Sequence, residues 1–472
     1  MHAIGKRLPY LFRYEVKVTS SGKIAQLETS VYCNPGSTSN EPTSLYGALC
    51  FQSAYRANNW NVKPEVALTD TAPNTYCRSP GSAQGVAGIE NIMEHIAYIL
   101  KKDPLEVRQI NFMKKGDPFI GVPGAKLPLD NLLPGMIAEL KVNGDYDARK
   151  KFVSVFNQNN RWKKRGLSIV PQRYPNYYPD MRFPTFIAVY HVDGTVNVSH
   201  GGIEIGQGIN TKVAQTVAYT LQIPLEKVRI KPSNNIISPN AGITGASVTS
   251  ELVCSSAKVA CEQLLERLAP LRKQLGNPSW EQLIAAANGR EILLTSQYQH
   301  MQGELVSYDV WGVMMTEIEM DVLTGDYKII RCDIIKDAGQ SISPLVDIGQ
   351  IEGAVVMGLG WWLTEELIYD KNTGELLTDN TWQYKPMMPA DIPEDLRVTL
   401  LRNAPNPFGV LSSKSTGESP LNMSVSVIFA LRNAIDSARR EVGNYSWYQM
   451  DGPVTREVIR RLCLTSSEQF IV

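Results

Sequence analysis

Apolar and polar positions alternate at the start of the chain. Tyr14, Val16 and Val18 are separated by charged neighbours, so Tyr10 to Asn34 is predicted as paired strands about the turn Ser20-Ser21-Gly22-Lys23. From Ser82 to Leu100 the period lengthens to that of a helix. Asp103-Pro104 then opens a second helix with a capping residue and a proline in its first turn, and Leu105, Val107 and Ile110 form its apolar side. Prolines and glycines punctuate Lys114 to Pro134 around short apolar pieces, which predicts an irregular connection between two domains, residues 1–120 and 135–472.

The second part repeats an order of strand, tight turn, strand, glycine-rich loop and helix. Phe186 to Val192 and Val196 to Ser199 flank Asp193-Gly194, a hairpin signal, and a helix is predicted from about Asn210. Another hairpin surrounds Leu323-Thr324-Gly325-Asp326. Further helices are expected at about Ser250 to Leu275, with Ala257, Cys261, Leu264 and Leu268 on one face, and from about Pro420 to Arg440. This mixture predicts an α+β fold of tandem strand and helix domains.

Composition narrows the partners. At 472 residues the chain can bury more than one core. Lys plus Arg and Asp plus Glu are both 47, so no large field favours nucleic acid or an anionic membrane, and a small neutral substrate fits better. The longest nearly apolar stretch, Gly353 to Leu363, is too short to span a bilayer. Seven scattered cysteines without a C-x-x-C pair predict reduced thiols and neither a zinc knuckle nor an iron–sulfur cluster within these residues. The start Met1-His2-Ala3-Ile4-Gly5 shows no secretory pattern, and a cytoplasmic location is expected.

Candidate chemistry lies in four loops with one physical design: Cys77 to Ser82, Gly201 to Gly208, Thr244 to Thr249 and Ser415 to Pro420. Small residues let the backbone approach a ligand, a helix begins directly afterwards, and unpaired amides at a helix start favour anions. Several such loops suggest convergence on one polar, phosphorylated cofactor. Ordinary helix capping is the competing explanation for each loop. For Glu418, three residues after Ser415, the alternative is a capping box. A dinucleotide site at Gly201 is disfavoured, because the spacing is not G-x-G-x-x-G and the following strand-like run ends in Lys231, without an acidic ribose partner.

The same loops in the same order, with GGIEIGQG, DIGQIEG and STGESP, resemble the molybdenum hydroxylases, the xanthine dehydrogenase and aldehyde oxidase family, and are closest to insect-type aldehyde oxidases. The resemblance runs through nearly the whole chain. It implies a molybdenum held by a pyranopterin (Moco), with no side-chain ligand to the metal, and Glu418 at the family's catalytic glutamate. It also implies cofactor contacts at Arg78, Gly206, Gln207, Ala246, Ser247, Thr249, Gln350 and Gly417. For Arg78 and Gln350 the alternatives are a surface cation and a polar loop residue.

Departures from the family pattern bear on substrate. Tyr46 to Phe51 lacks the arginine that xanthine-oxidising members use to hold a purine, and Pro80 replaces a phenylalanine of the substrate channel. Tyr178 falls near the channel's other aromatic. The resemblance therefore implies an aldehyde oxidase whose electrons pass through 2Fe-2S and FAD, outside this chain, to oxygen, in a homodimeric full-length protein. A xanthine dehydrogenase is the first alternative and a truncated, non-catalytic fragment the second. Residues 1–120 are expected to be the remainder of a longer first cofactor-binding domain, and these 472 residues alone to be inactive.

Overall fold

A computed structural model describes residues 4–469; Met1-His2-Ala3, on which the reading against a secretory signal partly rests, lies outside them. Strands β1 (Tyr10–Val18) and β2 (Ile24–Cys33) form the predicted antiparallel pair. Helix α1 (Thr43–Cys50) leads to β3 (Trp60–Val66), which joins β2 in parallel. Helix α2 (Ser82–Leu100) lies close against this layer: a Cβ on Gly85 would meet the Gly47 carbonyl at 2.5 Å, and one on Gly88 the Phe12 ring at 2.8 Å. Asp103 caps α3 (Pro104–Ile110) by accepting from the Leu105 amide at 2.8 Å, as its sequence predicts. No helix or strand interrupts the proline-rich stretch until α4 (Leu133–Asn143) and α5 (Tyr146–Asn159).

The central sheet follows. Strand β4 (Lys163–Asn176) is its edge and contains Pro171 and Pro175, residues tolerated there because an edge strand leaves amides without ladder partners. A second sheet holds β5 (Thr185–Val189), β6 (Val196–His200), β7 (Val228–Ile230) and, beyond α6 (Ile209–Leu221), α7 (Thr249–Gln274) and α8 (Trp280–Gly289), β8 (Thr295–Tyr298). The chain returns to the central sheet through β9 (Tyr308–Asp321) and β10 (Tyr327–Lys336). It then runs through α9 (Pro344–Leu363), β11 (Asp395–Leu400), α10 (Ser419–Met423), α11 (Ser426–Glu441) and α12 (Arg456–Leu462). The central order is β11-β10-β9-β4, with β9 antiparallel to both neighbours and β11 parallel to β10.

Both faces of the central sheet are covered. Ile169, Val313 and Met315 share a core with α2, α3 and α4, whereas Val170 and Met314 face α9 and α11. Successive strand residues point to opposite faces, so Ser168, Val170, Gln172 and Tyr174 all look toward the α10–α11 side. Contact there is close: a Cβ on Gly166 would stand 1.8 Å from the Ala430 carbonyl, which excludes any other residue without backbone movement.

Two sequence expectations change. The helix expected over Pro420 to Arg440 is two helices, broken after Met423, and the apolar stretch ending at Leu363 is the second half of a helix starting at Pro344. Among the described residues no helix is long and apolar enough to cross a membrane.

Candidate active site

A cavity of about 700 Å³ opens where the end of β4 meets α1 and the starts of α2, α6, α7, α9 and α10. All four glycine- and hydroxyl-rich loops reach it. Arg78, Pro80, Tyr178, Gln207, Ala246, Ser247, Thr249, Gln350, Gly417 and Glu418 line it. Gly206 is set back from the wall, where its carbonyl accepts from Gln350 Nε2 at 2.9 Å.

Glu418 is the residue immediately before α10, and its side chain caps nothing. Its Oε2 instead accepts from the Tyr174 hydroxyl at 2.6 Å, and its backbone carbonyl accepts from Ser79 Oγ at 2.5 Å. The capping box is therefore not formed; the Ser415 amide donates to the Tyr308 hydroxyl at 2.9 Å. Nor can five-residue α10 exert the strong helix-end field that a long helix would. Burial pushes the Glu418 carboxyl above the ordinary carboxylate range, against the opposing pull of the Tyr174 hydrogen bond and the guanidiniums of Arg78 and Arg7.

Arg78 joins distant segments. Its Nε donates to the Gly417 carbonyl at 2.7 Å, and its Nη2 reaches the Gln350 carbonyl at 2.9 Å and Oε1 at 3.4 Å. Its place is that of a clamp between the first sheet's loop, α9 and the Glu418 loop. Arg7 in turn donates to the carbonyls of Cys77 and Arg78 at 2.8 and 2.7 Å.

The remaining loops differ in how their polar groups are spent. Gln207 folds back on its own loop, accepting from the Ile205 amide at 2.7 Å and donating to the Ile203 carbonyl at 2.8 Å. The amides expected to be unpaired before α6 are taken by Glu204: Oε1 accepts from Gly206 and Gly208 at 3.1 and 2.9 Å, and Oε2 from Asn210 at 3.2 Å. That helix end already holds an anion. Before α7, Ala246 and Ser247 both adopt φ of 55°, a costly left-handed pair, while the Thr249 hydroxyl accepts from the Gly245 amide at 3.1 Å.

Several neighbours carried no signal in the sequence reading. Asp347 Oδ1 accepts from Lys212 at 2.8 Å and from the Thr416 hydroxyl at 2.9 Å. Lys414 pairs with Asp337 at 2.5 Å. Glu251, pushed up by burial, accepts from the Tyr308 hydroxyl at 2.7 Å. DIGQIEG contains Asp347, Lys212 follows the GQG loop, Glu251 follows the Thr244 to Thr249 loop and Lys414 precedes Ser415, so proximity to a motif was the available clue; Tyr174 and Tyr308 had none.

These features fit a polar ligand on the loop side. Gly206 and Gly245 each face open space where a Cβ would stand, Gly417 approaches within 2.8 Å of Ser247 Oγ at the same position, and hydroxyls and amides surround them. Among the described residues no three His, Cys, Asp or Glu side chains group to hold a metal, so a metal here would have to arrive with its own ligand. Apolar and aromatic side chains line the cavity as well, among them Tyr46, Leu49, Tyr76, Tyr177, Tyr178 and Met181.

A fold of this kind, with four small-residue loops and the acids Glu251, Asp347 and Glu418 lining one cavity, is suited to a large polar cofactor. Comparison with known proteins agrees: the molybdopterin cofactor-binding domain matches over residues 139–393 and again over 1–112. The chain belongs to this family, that of the molybdenum hydroxylases. It is 34% identical to xanthine dehydrogenase of Oryza sativa subsp. japonica over 99% of its length and 35% identical to aldehyde oxidase 3 of Mus musculus over 97%. In both cases it spans 35% of the relative's length. Among solved structures, quinoline 2-oxidoreductase of Pseudomonas putida 86 superposes with a TM-score of 0.87 at 20% identity, covering 98% of this chain and 63% of that one. Aldehyde oxidoreductase of Desulfovibrio desulfuricans ATCC 27774 gives 0.81 at 22% identity, covering 97% and 49%. The cofactor of the family is molybdenum-pyranopterin, with 2Fe-2S and FAD in its full-length members.

Proposed function

We propose that the chain is the cofactor-binding part of an aldehyde oxidase, in which Glu418 acts as general base while an aldehyde becomes a carboxylic acid. One observation carries this reading: Glu418 lines a cavity that is also lined by hydroxyl- and amide-bearing loops and by aromatic rings. Bound molybdenum-pyranopterin would supply the two-electron oxidation. Gln207, Gln350, Ala246, Ser247, Thr249 and the backbone at Gly206 and Gly417 would hold it, with Arg78 fixing the loops around it. Glu418 would accept a proton at its carboxylate from the attacking oxygen, a role worth roughly 10²–10⁴ in rate.

Substrate is where the relatives divide, since both xanthine dehydrogenases and an aldehyde oxidase match at similar identity. Three observations favour an aldehyde. Tyr46, Leu49 and Cys50 bring no guanidinium to the wall. The cations lining the cavity are all engaged, Arg78 by Gly417 and Gln350, Lys212 by Asp347 and Lys414 by Asp337. Pro80 and Tyr178 complete an apolar surface. In the full-length protein, electrons would leave through 2Fe-2S and FAD to oxygen. A two-fold dimer, the commonest oligomer, and a cytoplasmic location complete the proposal; seven free thiols suit a reducing compartment. The division into domains at residues 1–120 and 135–472 belongs to it as well.

The test is turnover by full-length, molybdenum-loaded protein. An aromatic aldehyde should be oxidised and xanthine ignored, and comparable kcat/KM for the two would favour the xanthine dehydrogenase reading. Purified chain that holds neither molybdenum nor pterin would favour a fold kept without catalysis.

A further inference from the structure

We infer that Tyr174 is a positioning residue: its hydroxyl holds one oxygen of the Glu418 carboxylate and favours the ionised, proton-accepting form of that acid over the neutral one. The inference rests on the reading of Glu418 as base. The two residues lie 244 positions apart and belong to different elements, yet the hydroxyl donates to Oε2 at 2.6 Å, the range of a charge-assisted bond.

The fold makes this contact hard to avoid. Tyr174 is a buried residue near the end of β4, on the face that looks toward α10, and β4 is fixed to β9 through Asn176. Glu418 is fixed from the other side, by Ser79 and Arg78 on its own loop's carbonyls. Neither group has to order itself for the bond to form, so little conformational entropy opposes it.

The bond also opposes the largest force acting on the acid. Burial favours the neutral carboxyl, and a neutral carboxyl cannot act as a base. The groups facing Glu418 are few. From the loop before α2 come the Arg78 guanidinium and the Ser79 amide, with the Arg7 guanidinium behind them; from β4 comes the Tyr174 phenol; from α1 comes the Cys50 thiol, whose own burial pushes it up to about 12 and so leaves it uncharged. Tyr46 of α1 faces Tyr174 in turn. Tyr174 itself is held far above the ordinary phenol value by burial and by the Glu418 charge, so it stays a donor throughout the working range. Arg78 is already occupied by Gly417 and Gln350. Tyr174 is therefore the side-chain donor that meets the carboxylate directly.

Removing the hydroxyl while keeping the ring isolates the effect. In Tyr174→Phe the Glu418 titration midpoint should rise by about one unit or more, the equivalent of losing one hydrogen bond to a charged group. It can be read in the full chain without turnover, as the protonated-carboxyl band in an infrared pH titration, assigned by its disappearance in Glu418→Gln. In the loaded full-length enzyme the acid limb of kcat/KM should move up by the same amount, with aldehyde turnover restored on raising the pH. Tyr177→Phe, which removes a hydroxyl from the same cavity wall, should leave the midpoint in place. Site-specific 3-fluorotyrosine at position 174 gives the opposite sign: a more acidic phenol donates more strongly, so the midpoint should fall. An unmoved infrared midpoint in Tyr174→Phe, or equal shifts in the two Phe variants, overturns the positioning role. A shifted infrared midpoint with no matching shift in the rate profile overturns the base assignment of Glu418 and leaves the Tyr174 coupling standing.

Discussion

The Glu418 loop and the Gly201–Gly208 loop carry the same sequence design and are built in opposite ways. The first is tied from every side: Lys414 to Asp337, Ser415 to Tyr308, Thr416 to Asp347, the Gly417 carbonyl to Arg78, and Glu418 to both Ser79 and Tyr174. The second closes largely on itself through Glu204 and Gln207, exposes Ile203 and Ile205, and touches the rest of the site through the Gln350–Gly206 bond and through the Ile203 amide, which donates to Thr244 Oγ1 at 2.9 Å. A group that must take a proton at a fixed place needs the first kind of loop, because its geometry is set before the substrate arrives. A loop that wraps a bound cofactor can use the second kind, since contacts to the ligand complete it.

The largest expected effect breaks the first loop's chemistry while leaving an amide oxygen that can still accept from Tyr174. Glu418→Gln should lower aldehyde turnover of loaded, full-length protein by about 10²–10⁴-fold, with molybdenum content unchanged. Stability should not fall. The folded-state pKa of Glu418 is raised, so the stability linked to this group is present at low pH and lost as pH rises through that value; a permanently neutral amide carries no such loss. Near-normal turnover, or inactivity traced to unfolding by calorimetry, would return Glu418 to a structural role.

An intermediate effect comes from loosening the ties while leaving the acid in place. Lys at position 78 keeps the charge but cannot span the Gly417 carbonyl and Gln350 together. Losing a hydrogen bond to a charged group, worth ~1.5–3 kcal/mol, corresponds to about a 10- to 100-fold loss. For Arg78→Lys this loss should appear in kcat/KM, with substrate preference retained. A variant as active as the parent would mean that Arg78 is no more than a surface cation.

How far the sequence reaches follows the same division. Local signals were readable: Asp103-Pro104 does cap its helix, Ser82 to Leu100 is helical, and all four small-residue loops come to one cavity. What escaped is long-range. Strand β4 holds two prolines and is buried on both faces through most of its length, so it shows neither alternation nor a proline-free run, and only its edge position explains it. Tyr174 is one tyrosine among 20, with nothing local to mark its partner. Glu204 misled in a different way, because a glycine loop before a helix looks ready for an outside anion until the structure shows an inside one.

That last feature yields the smallest effect and the sharpest contrast between the loops. The Glu204 carboxylate accepts from three amides at the start of α6, at Gly206, Gly208 and Asn210, where the positive end of a 13-residue helix also favours its charge. Glu204→Ala removes an interaction of the capping kind, typically ~1 kcal/mol, so hydrogen exchange at these three amides should speed up by about fivefold. The effect should stop there. The amides of Ser415 to Glu418 take no contact from Glu204 and should exchange as before, because their ties run to Tyr308, Asp347 and Arg78. Faster exchange in both loops would mean that they open together and that the difference between a preformed and a self-closed loop is not real. Unchanged exchange at Gly206 and Gly208 would mean that Glu204 is a bystander, and would restore the start of α6 as a place for a ligand's negative charge.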